Sequence, residues 1–470
     1  MPINSFEDYP MSWKPDLTGV TPPLYKALAT LLENDIRNGH LKPGDLLPPQ
    51  RELADYLDLN LSTITKAFKL CSQRGLISAS VGKGTYVSTD VHVNTTLLDP
   101  QKAVGLIEMG AIHPSYEQNH YVLQVIQQVL SSDFASSLLE YNAPYGTPSQ
   151  KNAGVTWLKR HQIETSPEHI LLSNGGQNAL CAILSALFKP GDRIGTDPLT
   201  FSGFKTLAKM LGIQLVPIPL HNDEISPIIL DQLCQTEGLK GIYLIPDYHN
   251  PTTHHMSLRT RKAIASVAKK HNLLIIEDGI YSLLKKDVDC PAFARLIPDQ
   301  TIYIASLSKT LCAGLRLAFI MTPLSYKAAL ERALYNINLM VSPLSASIAE
   351  ALIDSPLIDT ILMEKQEAAY AYKRNQLTNT ILKGYSLLGD VYSTFRWLLL
   401  PPVWSGKAFE ACAKNAGVQI YCAERFAIGN ATVPAAVRLA TSAPKSLEEL
   451  ETGLLILRTL LESEEEFTLF

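Results

Sequence analysis

No stretch of the 470 residues comes near the about 18 uninterrupted apolar residues that a membrane-spanning helix needs. The opening "MPINSFEDYPMSWKPD" is acidic and broken by proline, and it lacks the apolar core of a secretory signal. Cysteine is sparse and unpatterned: the seven, at 71, 181, 234, 290, 312, 412 and 422, include no CxxC pair. That excludes a disulfide framework and a zinc finger, and it leads us to expect reduced thiols, no bound metal and a cytoplasmic protein. Positive charge is not in excess either. The net charge is −4, so any contact with nucleic acid must be confined to one segment. Internal repeats and low-complexity blocks are missing. What is present is ordinary for a folded protein, 46% apolar and 18% charged. At roughly 100–200 residues per domain, the length points to two or three domains.

The first 90 residues read as a small helical module. "TPPLYKALATLLENDIRNG" (21–39) predicts a helix with Thr21 as its cap, an apolar face of Leu24, Ala27, Leu28, Leu31 and Leu32, and a stop at Gly39. "QRELADYLD" predicts a second helix. A third runs from about Ser62 to Gln73, with Ile64, Ala67, Phe68 and Cys71 on one face. "LISASVGKGTYVS" then predicts a hairpin turning at 82–84. Three helices and a hairpin make a winged helix-turn-helix over residues 20–88. Between Leu61 and Val87 there are basic residues, Lys66, Lys69, Arg74 and Lys83, and no acidic one. Ser62, Thr63, Thr65 and Lys66, at the start of the third helix, suit base edges and phosphates in a major groove, and Lys83 suits a phosphate or a minor groove. A protein-binding winged helix with a solvated basic face remains open on these residues.

Residues 89–104 are polar and aperiodic, as in a linker. From 105 onward short Ile/Leu/Val runs such as "HILLSNGG", "GIYLIPD", "LLIIEDG" and "TIYIASL" alternate with helical segments. Such runs predict an α/β domain with a mostly parallel sheet covered on both faces.

Several costly side chains stand at the ends of those strands. "ASLSKTLCAGLRLAFI" places Lys309 after a buried strand, flanked by Ser306, Ser308 and Arg316, which offer hydroxyls and a guanidinium to a phosphate. "LLSNGGQNAL" places the amides of Gly176 and Gln177 at a helix start, a second half of a phosphate cradle. "LLIIEDGIYSLL" ends a strand on Asp278, with Tyr281 three residues on, and "GIYLIPDYHNPTT" brings Asn250 to an equivalent end. Ligands of open α/β sheets bind beyond these strand ends, so the set can converge. Taken alone, Lys309 is better read as a lysine that buries its stem for packing. Together the residues fit an aldehyde cofactor with a phosphate, a pyridine nitrogen and a phenolic oxygen.

The stretch 25–87, above all "LKPGDLLPPQRELA" and "GKGTYV", resembles the GntR-type winged helix. One position departs: Leu61 stands where that family usually has a DNA-holding arginine, so Arg51, Lys66 and Lys83 are expected to carry more of the phosphate contact. Residues 105–460 resemble the fold-type I aminotransferases, PLP-dependent transferases with a smaller α+β subdomain. The resemblance implies that Lys309 bonds covalently to pyridoxal 5'-phosphate, Asp278 holds the ring nitrogen, and Tyr281 and Asn250 bond the phenolic oxygen. It also implies that Phe201, in "DPLTFSGF", stacks on the ring and that Ser306, Ser308, Arg316, Gly176 and Gln177 hold the phosphate. Tyr141, in "YNAPYG", would reach it from the other subunit, and Arg438, in "VRLATSAP", would pair with a substrate carboxylate. Departures are Thr253 in place of a usual glycine, and Gln150–Lys151 where Leu–Arg is common.

With both halves in order, the chain resembles the MocR-type transcriptional regulators. That likeness implies an aminotransferase-like domain over 105–470, its large part about 145–325 and its small part about 105–140 and 340–470. It further implies a head-to-tail, domain-swapped homodimer that binds a double-stranded operator and answers to pyridoxal phosphate or to an amine or amino-acid effector. The rival expectation is a working aminotransferase with a secondary DNA-binding module; a cofactor-free scaffold is the third.

Overall fold

The computed structural model describes residues 12–19, 21–73, 76–80, 84–88, 105–284, 290–366, 369–429 and 431–463. Lys83, Arg74 and the expected linker, 89–104, lie outside the described residues.

The N-terminal module is built from α1 (Leu24–Arg37), β1 (Leu46–Leu47), α2 (Gln50–Tyr56), α3 (Leu61–Gln73), β2 (Ile77–Ser80) and β3 (Gly84–Val87). Helix α1 starts after Pro23 with no side-chain cap, so Thr21 does not cap it. Its buried stripe is Leu28, Ala29, Leu32 and Ile36. On α3 the expected inner face holds: Ile64, Ala67, Phe68 and Cys71 are all buried. Ser62, Thr65 and Lys66 are exposed, and Thr63 is half-buried. The Asn60 carboxamide accepts from the Ser62 amide at 2.8 Å, which fixes the turn that aims α3. Strand β1 joins the hairpin to give the antiparallel order β1-β3-β2. Trp13 closes the core from outside the expected domain boundary; its indole donates to Asp35 at 2.8 Å.

The second domain opens with β4 (Ile107–Glu108), α4 (Asn119–Leu130) and α5 (Pro148–Arg160). Its central sheet comprises β5 (Ile170–Ser173), β6 (Arg193–Thr196) and β7 (Gln214–Pro217). After the small hairpin β8 (Leu220–His221) and β9 (Glu224–Ile225) come β10 (Gly241–Leu244), β11 (Leu274–Asp278), β12 (Thr301–Ser306) and β13 (Ala318–Met321). The order is β5-β13-β12-β11-β10-β6-β7, and only β13 runs against the rest. Strands β5, β10, β11, β12 and β13 are buried at every position. Unbroken burial explains their unbroken apolar sequence, since helices cover both faces. Among those helices are α6 (Gly176–Leu187), α7 (Ser202–Met210), α8 (Pro227–Thr236) and α9 (Leu258–His271). A smaller antiparallel sheet, β14 (Leu387–Leu388), β15 (Arg396–Leu399), β17 (Tyr421–Cys422) and β18 (Ala436–Leu439), lies beside it, and β16 (Val418–Gln419) pairs in parallel with β4.

Candidate functional site

The carboxyl ends of β10, β11 and β12 bring Asn250, Asp278 and Lys309 to one side of the sheet, and β18 delivers Arg438 from the smaller sheet. Lys309 lies in the turn after β12, and its Nζ donates to the Ile112 carbonyl at 2.5 Å. Burial, followed by the positive charges of Arg438, Arg316 and Lys365, pulls its ammonium down from 10.5 to about 7. A lysine in this state is half free amine near neutrality, the form that attacks an aldehyde.

Asp278 closes β11. Its Oδ2 accepts from the Tyr243 hydroxyl at 3.0 Å and its Oδ1 from the Ile280 amide at 3.2 Å. Burial raises its pKa to about 6 against those two bonds, and no cationic side chain pairs with it among the described residues. Tyr281 is buried next to it, its ring 5.5 Å from that of Phe395. Asn250 precedes a cis proline, and its Oδ1 accepts from Arg438 Nη1 at 2.5 Å.

Arg438 is almost wholly buried. Its Nη2 donates to the Gly110 carbonyl at 2.5 Å, its Nε is buried without a hydrogen-bond partner among the described residues, and the Phe426 ring lies 4.7 Å from the guanidinium carbon. Desolvation lowers it to about 10. A guanidinium buried without a carboxylate is costly, and an incoming carboxylate is the group that relieves it.

The residues expected to cradle a phosphate are also brought together. Arg316, in the left-handed region at φ 48°, donates to Ser308 Oγ at 2.9 Å, and the Ser308 amide donates to Ser306 Oγ at 3.3 Å. Gly175 sits at φ 87° ahead of α6, where an added Cβ would lie 2.6 Å from Arg316 Nη2. The guanidinium thus lies against the backbone that leads into the Gly176 and Gln177 amides. Gln177 donates its side chain to the Gly203 carbonyl at 3.0 Å, and Phe201 packs half-buried over the same glycine. Tyr141 is apart from these groups in one chain, 84% exposed. On the N-terminal module, Arg51 and Lys66 are exposed, while the Thr65 hydroxyl is engaged with Gln50 at 2.9 Å.

Sequence reasoning missed Tyr243, the carbonyls of Gly110 and Ile112, and Lys365. Lys365 donates to the Leu311 carbonyl at 2.8 Å, bracing the Lys309 turn, and is itself lowered to about 8 by burial. Tyr243 carried a signal, a phenol inside an otherwise apolar strand. Backbone carbonyls carry none. A cleft of about 1270 Å³ lies elsewhere, between Ser72 and Ile77 of the first module and Lys209, Gln214 and Asp390 of the second. None of the residues above that carry the chemistry lines it, so the site rests on its side-chain set and not on cavity size.

The family of bacterial regulatory proteins of the gntR type matches residues 24–87, and that of aminotransferase class I and II matches 104–455. An HTH-type transcriptional regulator of Bacillus subtilis, YdeF, is 50% identical over 98% of this chain and 99% of its own. The chain belongs to the GntR-type regulators that carry an aminotransferase domain. The probable rhizopine catabolism regulatory protein MocR of Rhizobium meliloti is 24% identical, over 76% of this regulator and 78% of its own length. Among solved structures, an archaeal alanine:glyoxylate aminotransferase superposes with a TM-score of 0.71 at 25% identity, covering 78% of the regulator and 93% of the enzyme. The α-aminoadipate aminotransferase LysN of Thermus thermophilus shares the fold at 20% identity, with a TM-score of 0.70 over 79% and 95%. The MocR-type reading of the sequence is therefore met: an α/β, fold-type I aminotransferase-like domain behind a GntR-type reader, in a transcriptional regulator.

Proposed function

We propose that this regulator binds pyridoxal 5'-phosphate at Lys309 and reports an amino compound at that site to its DNA-binding module. The residues fit the cofactor on three counts. A buried carboxylate lacks a cation, an arginine with serines and helix-start amides forms an anion cradle, and an amine sits between them near its own neutrality. Once bound, the cofactor supplies an aldehyde that amines attack and a ring that accepts electron density.

The rest is done by the chain. Lys309 donates its amine; Asp278 holds the ring nitrogen's proton; Tyr281 and Asn250 bond the phenolic oxygen. Phe201 covers the ring, and Ser306, Ser308, Arg316 and the amides of Gly176 and Gln177 hold the phosphate. Arg438 takes the effector's carboxylate. Acting on DNA, such a regulator works in the cytoplasm.

One observation carries the regulatory reading. The two cations that meet cofactor and effector, Lys309 and Arg438, are held by Ile112 and Gly110, and this stretch directly follows the expected linker to the DNA-binding module. An amine engaged elsewhere releases the Ile112 carbonyl, and a carboxylate on Arg438 competes with that of Gly110. Occupancy thereby shifts the chain that leads to the reader, provided the two states differ in affinity for the effector.

Double-stranded operator DNA is the partner of α3 and the wing, with Arg51, Ser62, Thr63, Thr65, Lys66 and Lys83 as contacts. A second copy is the other partner. Tyr141 and Leu139 are both 84% exposed, and Leu339 is also exposed beside the Asn142–Met340 contact, an apolar face that a partner subunit covers. In that dimer Tyr141 reaches the partner's phosphate cradle, and each reader lies over the other subunit.

The complete Lys309, Asp278 and Arg438 set also favours a second reading, a working aminotransferase. Purified protein loaded with pyridoxal phosphate and mixed with amino acids separates the two. A lasting spectral change without product identifies the sensor. Turnover with a keto-acid acceptor identifies the enzyme. No visible band in the loaded protein rejects both.

A further inference from the structure

Tyr243 is wholly buried on β10, where every residue is buried, yet it ends in a hydroxyl. The register pairs Tyr243 with Ile276 on β11, so Asp278, two residues on, projects from the same face. The Tyr243 hydroxyl meets Asp278 Oδ2 at 3.0 Å, while the Ile280 amide takes Oδ1. Phe204, on α7, stacks on the Tyr243 ring at 3.8 Å between centroids and 15° between planes, which fixes the direction of the hydroxyl.

We propose that Tyr243 is a positioning residue for the cofactor: its hydroxyl keeps Asp278 ionised and oriented for a protonated ring nitrogen. This rests on the reading of Lys309 and Asp278 as the pyridoxal phosphate site. A carboxylate in an apolar site favours its neutral form unless donors stabilise its charge. Among the described residues its donors are Tyr243 and the Ile280 amide; Tyr281 and Tyr303 also interact electrostatically with Asp278, and Asp197 with Tyr243. Burial and the neighbouring carboxylate push the Tyr243 phenol well above its ordinary value, so it is a donor across the whole neutral range. With this bond in place Asp278 is already raised to about 6; without it the carboxyl moves further toward its neutral form.

The test compares wild type and Tyr243→Phe, which keeps the ring stacked on Phe204. Two ligands are used: pyridoxal 5'-phosphate and its analogue with C–H in place of the ring nitrogen. Dissociation constants come from equilibrium dialysis, and thermal melting checks the fold. The expected result is a loss of about tenfold for pyridoxal phosphate, as for a hydrogen bond to a charged group, and under twofold for the carbon analogue. In an Asp278→Asn background the same change adds nothing, because the pair acts as a unit. Equal losses for both ligands reduce Tyr243 to packing and overturn the proposal, as does no loss for either. Wild type that binds neither ligand overturns the cofactor reading itself.

Discussion

Lys309 is surrounded by charge of its own sign. Arg438, Arg316 and Lys365 all act on it, and it is buried, so folding disfavours its charged form. Its folded-state value, about 7, lies below its ordinary 10.5; the unfolded chain therefore keeps a proton that the folded chain has shed over that interval. The sign follows: the cofactor-free protein pays the full burial penalty below pH 7 and gains stability from this residue as pH rises from about 7 toward 10.5. The rate at which the protein captures pyridoxal phosphate should rise with pH to a plateau, with a midpoint near 7. Stopped-flow absorbance checks this, and a midpoint close to 10 contradicts the buried setting. Lys309 stood out in the sequence because a lysine beside two serines at a strand end is expensive. Its anchor, the Ile112 carbonyl, was invisible because a backbone oxygen has no letter. Thr253, where glycine is usual, does sit at φ 65°, so the left-handed turn persists there with a β-branched residue.

At the level of elements, periodicity served best where burial is one-sided or complete. The inner face of α3 follows its apolar spacing, and the fully buried strands follow their unbroken apolar runs. Ends were harder to read. Helix α1 begins at Leu24 without the expected Thr21 cap because Pro22 and Pro23 intervene. Gln150, unusual at its position, closes a capping box with Thr147 at the start of α5, and the pattern Thr-x-x-Gln that allows it is present in the sequence. Strand β1 is only two residues long and exists because β3 pairs with it. On α3, Lys66 is exposed beside Ser62 and has no acidic neighbour on the helix. Lys66→Ala should weaken binding to all DNA sequences alike and reduce the salt slope by about one phosphate contact. Fluorescence anisotropy across a salt series measures it; an unchanged slope removes Lys66 from the interface.

For the whole molecule, the order of domains and the chemistry of the second were legible because strand-end residues recur at fixed places along the chain. Which groups meet within that domain was not, since Arg438 and Gly110 are separated by 328 positions and join only through the fold. The surface around Leu139 and Tyr141 is a whole-molecule feature of the same kind. Leu139→Asp should yield monomers in sedimentation and cofactor that washes out faster if, as proposed, the partner's Tyr141 completes the cradle. A dimer that persists with unchanged retention moves the interface elsewhere. The central claim, that the state of Lys309 is felt by the DNA-binding module, is met most directly by one measurement. Affinity for the DNA upstream of the protein's own gene is titrated with and without pyridoxal phosphate, for wild type and Lys309→Ala. A severalfold shift in the wild type that vanishes in the variant is the predicted result. Equal shifts in both proteins, or none in either, contradict the account.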